Sequence, residues 1–128
     1  KPEILPIFFL SDISERYETS LGIGPDGDLQ EKFLAMGLVT TMFPEALDQF
    51  RSLPEPTGAT AKSAQKSLLN GMESFIQSAR DGQKWVDRLM EGKADGKAQR
   101  FQDSYERLGR NGGNNLHKAF EYIDSFQL

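Results

Sequence analysis

The chain has 128 residues, 38% of them hydrophobic and 27% charged, with a formal net charge of -4. That is enough chain for one buried core without disulfides or metals, and the composition suits a water-soluble globule rather than a disordered or membrane-spanning segment. The acidic balance argues against coating nucleic acid by bulk electrostatics. The absence of cysteine removes thiolate nucleophiles, disulfide scaffolds and zinc–thiolate or iron–sulfur centres, and the single His117 removes multi-histidine metal sites.

The sequence starts at Lys1 rather than Met, as expected after removal of a targeting peptide or at a cut within a longer protein. Residues 4–10 are apolar but contain Pro6, and seven residues fall far short of the roughly 20 needed to span a bilayer. They are expected to form an extended N-terminal strap across the fold, or an apolar patch left for a partner or membrane surface.

The apolar residues that follow recur at three- and four-residue steps, the period of a helix. A short first helix is expected over residues 10–21, carrying Leu10, Ile13, Tyr17 and Leu21, with Ser11 as N-cap and Gly22 beyond its end. A second opens at Asp28, where Glu31 stands three residues on as in a capping box, and its stripe reads Leu29, Phe33, Met36, Thr40, Phe43, Leu47 and Phe50. Pro44 lies inside that run, removes a backbone donor and predicts a kink or brief break.

Residues 52–58, with Pro54 and Pro56, read as a stiff connector. The third helix is expected from an N-cap at Thr60 to about Glu91, roughly 45 Å long, on the stripe Leu68, Leu69, Met72, Phe75, Ile76, Ala79, Val86, Leu89 and Met90. Gly71 and Gly82 each weaken it by about 1 kcal/mol relative to Ala. A fourth helix with Ala98, Phe101, Tyr105 and Leu108 follows the turn at 92–96. The stretch 109–115, Gly-Arg-Asn-Gly-Gly-Asn-Asn, is expected to break it before a short fifth helix with Leu116, Ala119, Phe120, Ile123 and Phe126. The fold class is therefore all-α, an up-down four-helix bundle over residues 1–108 with the N-terminal strap, then a loop and a short extra C-terminal helix over 109–128.

Constellations that could carry chemistry fail on context. Residues 22–27 match G-x-G-x-x-G, but a helical pattern precedes them, and Asp26 and Asp28 would repel a phosphate, so they read as a helix–helix turn. Asp26 and Asp28 also lack the third ligand and the glycine of a calcium loop. His117 has no second histidine and no Glu three positions before it, which excludes a di-iron bundle and favours a surface or packing role. Asp87, Glu91 and Asp95 step along one face beside Lys84 and Arg88, as a solvated face does. No catalytic, cofactor or metal residues are assigned, and an enzyme is not expected.

Charge distribution is the more informative signal. Residues 1–59 carry 4 Lys+Arg against 10 Asp+Glu, and residues 60–128 carry 11 against 9. Arg80, Lys84 and Arg88 recur at four-residue steps on the third helix, and Lys93, Lys97 and Arg100 continue beyond the turn. Such a ridge can dock on an acidic partner; charged faces are equally the ordinary solvated surface of a helix. Trp85 beside it is either an interface anchor or partly buried.

The helices from Leu10 to Leu108, the Ser-Leu-Pro-Glu-Pro linker at 52–56 and the tail from 109 onward together resemble the PsbQ-type extrinsic proteins of photosystem II, and among them most the diatom-specific branch, a four-helix bundle followed by a loop and a short helix. The resemblance is one of architecture and covers most of the chain. It implies a non-catalytic, monomeric protein of the chloroplast thylakoid lumen, peripheral to the membrane, that docks on intrinsic subunits through basic side chains and supports oxygen evolution. Lys84, Arg88, Lys93, Lys97 and Lys118 are then the docking candidates, and Arg80 and Trp85 of the ridge complete the partner-binding set. Two other readings are a secreted effector or immunity-type bundle that binds a soluble protein through Trp85 and residues 4–10, and a periplasmic sensor with an interior pocket.

Overall fold

The structure is a computed structural model that describes residues 4–22 and 29–124, with side-chain surroundings over 10–22 and 29–123. Its elements are four helices: α1 (Ile4–Gly22), α2 (Leu29–Arg51), α3 (Ala59–Met90) and α4 (Gly96–Asp124). Helix α1 packs on α2 and α4, and α3 on α2 and α4, so the contacts close a ring around one core. The protein is an all-helical four-helix bundle, with no strand among the described residues.

Aromatic side chains fill the centre. Tyr17 of α1 lies 4.8 Å from Phe75 of α3 between ring centroids and meets Tyr105 of α4 edge-on at 6.1 Å. Phe43 of α2 stacks on Phe75 at 5.9 Å, and Trp85 stacks on Tyr105 at 5.7 Å. These offset and edge contacts each add a fraction of a kcal/mol to about 1.5 kcal/mol beyond the area they bury.

Several expectations are corrected. Helix α1 begins at Ile4, so its backbone is helical where an extended strap was expected. Pro44 causes no break in α2, which runs unbroken from Leu29 to Arg51. One lost donor is outweighed because Phe43, Ala46 and Leu47 around it are all buried. The N-cap of α3 is Gly58 and not Thr60, and no side chain caps it. The Asp28 cap and the glycine-rich stretch after Gly22 lie outside the described residues, while Glu31 pairs with Arg16 of α1 at 2.7 Å.

The largest correction concerns residues 109–115, which form no loop: α4 is one helix of 29 residues, and among the described residues there is no separate fifth helix. The glycines that suggested a break are points where α4 is closely approached by its neighbours: Gly112 by α3, Gly113 by Glu18 of α1, and Gly109 by Leu21 of α1 and Ser78 of α3. A Cβ at Gly112 would stand 2.9 Å from the carbonyl oxygen of Gly71 and 2.5 Å from Cδ1 of Phe75. A Cβ at Gly71 would in turn stand 3.0 Å from the carbonyl oxygen of Gly112 and 2.7 Å from Cγ of Leu116. The two backbones approach so closely that only glycine fits on either side, and the packing gained offsets about 1 kcal/mol of lost helix propensity per glycine.

Polar groups inside the bundle are tied in chains. Ser78 Oγ donates to the carbonyl oxygen of Tyr105 at 2.6 Å, which leaves the Tyr17 hydroxyl to donate to Ser78 Oγ at 2.7 Å. Burial pushes the Tyr17 phenol well above its ordinary pKa. Lys32, only 3% exposed, donates through Nζ to the carbonyl oxygen of Ser20 at 2.6 Å near the end of α1. Burial lowers its pKa, and the charge of Glu106 opposes that shift.

Candidate docking surface

The ridge proposed from sequence is set by the α3–α4 turn. Helix α3 ends with Gly92 at φ +76, where Gly92 N–H donates to Leu89 O and Lys93 N–H to Arg88 O. This pair of bonds, with a left-handed glycine after the C-cap, satisfies the last carbonyls of the helix. Asp95 then caps α4: its Oδ1 accepts from the backbone N–H of Ala98 at 2.9 Å.

The same carboxylate receives the Arg88 guanidinium through both oxygens. The guanidinium and the Ala98 N–H hold the Asp95 carboxyl down at about 2, and the pairing raises Arg88. Arg88 is therefore a staple of the turn, and Asp95 is a cap, not part of an acidic face.

From that turn α4 folds back along α3. Arg88 meets Asp95, Lys84 Nζ lies 5.6 Å from the Phe101 ring centroid, Ser104 Oγ donates to Asp81, and Asn111 donates to Ser74 at 3.2 Å. Partner numbers rise on α4 as they fall on α3.

Of the seven residues singled out from sequence, Lys84 and Lys97 stay exposed along this seam, and Arg80, also exposed, lines the neighbouring cleft between α2 and α3. Arg88 is committed to Asp95, and Lys93 pairs with its neighbour Glu91 at 3.2 Å. Trp85 is 5% exposed and belongs to the core. Lys118 is exposed but stands roughly 30 Å along α4 from Lys97, so it joins a different region.

Exposed Arg100 and Arg107 share the outward side of α4 with Lys97. Arg107 went unnoticed in the sequence, although its seven-residue step from Arg100 places the two on one face. Among the described residues no ion pair engages Arg80, Lys84, Lys97 or Arg100. His117 is not at this seam; its Nε2 lies 2.8 Å from Glu18 of α1, outside the core.

Open clefts among the described residues lie on other faces of α3. One of about 330 Å³ runs between α2 and α3 beside Leu47, Arg51, Ile76 and Arg80. Another, about 500 Å³, lies over the start of α3 at Lys62, Lys66 and Leu69. No described helix is long and apolar enough to cross a membrane. No family model matches this chain, and no curated protein or solved structure is significantly similar to it.

Proposed function

We propose that the chain is a non-catalytic docking subunit that binds an acidic surface of a larger assembly through the cations of the α3–α4 seam. The observation that supports this is the group Lys84, Lys97 and Arg100, exposed and outside any ion pair among the described residues, beside a turn that Arg88 and Asp95 brace, with Arg80 exposed one turn before Lys84. Helices running up and down in chain order would present the group as one rigid ridge. In its most specific form the partner is the lumenal side of photosystem II, as the PsbQ-type resemblance implies, with the protein peripheral to the membrane and supporting oxygen evolution. Burial of Trp85 leaves the rival effector reading without its aromatic anchor.

The test is retention of the purified chain on native thylakoid membranes at low salt, followed by a salt gradient. The screening length falls from about 10 Å at 0.1 M to about 3 Å at 1 M salt, so an electrostatic dock elutes across that range. Charge reversal by Lys84→Glu with Lys97→Glu is expected to abolish retention while leaving the helical signal intact. Unchanged retention of that variant overturns the ridge as the docking surface. Binding only to non-photosynthetic membranes overturns the specific form and keeps the general one.

A further inference from the structure

Helix α2 breaks the rule that the outward side of a surface helix is polar. Residues 33–44 contain no charged side chain. Ala35, Met36, Val39 and Phe43 point into the core, yet Phe33 is 42% exposed, Leu34 49% and Met42 40%. Among the described residues, four exposed large apolar side chains, Leu29, Phe33, Leu34 and Met42, belong to this one helix, against Leu53 and Met90 elsewhere. Leu34, Leu38 and Met42 form one row at four-residue steps, and Phe33, Gly37 and Thr41 form the next. Isolated surface apolar residues are ordinary; a contiguous face of them marks an interaction site.

The charge around this face identifies the occupant. Glu45 and Asp48 are exposed just past its C-terminal end, and Asp12 and Glu15 are exposed on α1, which packs beside α2. Among the described residues, the three cations of α1 and α2 are turned to other tasks. Arg16 pairs with Glu31, Arg51 pairs with Glu73, and Lys32 is buried against the carbonyl of Ser20. The apolar face thus sits in an acidic rim, which repels an anionic membrane surface and, through a two-fold axis, a second copy of itself.

We propose that this face binds a basic amphipathic helix of a partner protein, its apolar stripe on Phe33, Leu34 and Met42 and its cations on Glu45 and Asp48. The site lies on α1 and α2, so it stands or falls separately from the α3–α4 ridge. A chain with both surfaces bridges an acidic protein and a basic helix.

The test uses the full chain and a synthetic Leu/Lys peptide of about 18 residues with its leucines on one face, long enough to fold on contact. A peptide of identical composition with leucines spread around the helix is the control. Calorimetry is expected to show 1:1 binding of the amphipathic peptide, weakened about ten-fold or more by Leu34→Gln with Met42→Gln, and also weakened by Glu45→Lys with Asp48→Lys. Both pairs of substitutions are at exposed positions, and circular dichroism checks that each variant stays folded.

Equal binding of the control peptide, or no effect of the Leu34/Met42 pair, overturns the proposal. So does a wild-type dimer in sedimentation that this pair converts to monomer, which would make a second copy the occupant. Binding to phosphatidylserine-containing vesicles in place of the peptide overturns it in favour of a membrane.

Discussion

Replacing Gly112 by alanine separates two accounts of the glycine-rich stretch in α4. If the glycines merely weaken a helix, the added methyl group raises helix propensity and stabilises the protein by about 1 kcal/mol. In the structure that methyl would stand 2.5 Å from Phe75 Cδ1 and 2.9 Å from the backbone oxygen of Gly71. A side chain can rotate away from such a contact, whereas a carbonyl oxygen inside a helix can retreat only if α3 and α4 separate. Overpacking of this kind costs about 1–3 kcal/mol or more, and the backbone contact places Gly112 toward the upper end. The net expectation is a loss of about 1–2 kcal/mol. With an unfolding entropy of about 2.1 cal/mol/K per residue, a chain of this length loses roughly 4–7 °C in Tm.

Gly37→Ala is the matched control, because nothing lies within 4 Å of the Cβ it would acquire in the interior of α2. It should raise Tm by roughly 2–4 °C. Differential scanning calorimetry of the two variants decides the matter. A rise for Gly112→Ala as large as that for Gly37→Ala would refute the close approach of α3 and α4.

Other perturbations probe the polar interior and the turn. Ser78→Ala strands the Tyr17 hydroxyl in the core and removes the second bond to the Tyr105 carbonyl, and should cost about 1–3 kcal/mol, more than Tyr17→Phe, which removes only the outer donor; denaturant titration ranks them. The Tyr105 hydroxyl is buried without a well-formed hydrogen bond among the described residues, so Tyr105→Phe should be neutral or stabilising by up to about 1 kcal/mol, and a clear loss would show that Ser20 is bonded to it. Burial pushes that phenol up to about 12, with Ser20 opposing the shift. Its contribution is full below the ordinary tyrosine value near 10 and fades as pH rises through about 12, so Tyr105→Phe should flatten the alkaline fall in Tm over that window. Asp95 is depressed from 3.8 to about 2, so what it adds is present above pH 4 and lost as pH falls toward 2. Tm profiles of wild type and Asp95→Asn should therefore differ at neutral pH and converge near pH 2.

How legible the fold was depended on what each residue type reports. Helical period and turn chemistry are local, so the helical class, the Pro54/Pro56 connector and the Gly92 turn could be read from the chain. Glycine reports two opposite things. At Gly92 it supplies a positive φ that ends a helix, and at Gly71 and Gly112 it supplies absence of bulk inside one. Only the partner helix distinguishes these, and Gly71 and Gly112 are 41 residues apart in the chain. Only the start of the α2 stripe was misplaced, for a related reason; Met36, Phe43 and Leu47 are buried as expected. A run without charge from 33 to 44 has no polar face to orient it, so Leu29 and Phe33 were assigned inward, while Lys32 and Ala35 are the buried residues.

The docking surface shows the same limit in electrostatic form. Sequence counts charges, while the structure shows what each charge is spent on. Arg88 and Lys93 fitted the ridge by spacing, but a carboxylate across the turn and another beside it occupy them, and burial removes Trp85. What the structure leaves outside ion pairs among the described residues is narrower: Lys84, Lys97 and Arg100 beside the α3–α4 seam, and on α2 an exposed apolar face near Glu45 and Asp48. Exposed helix ion pairs contribute little stability by themselves, so reversing the unpaired charges should leave the fold intact, and binding rather than stability is what tests the proposed dock.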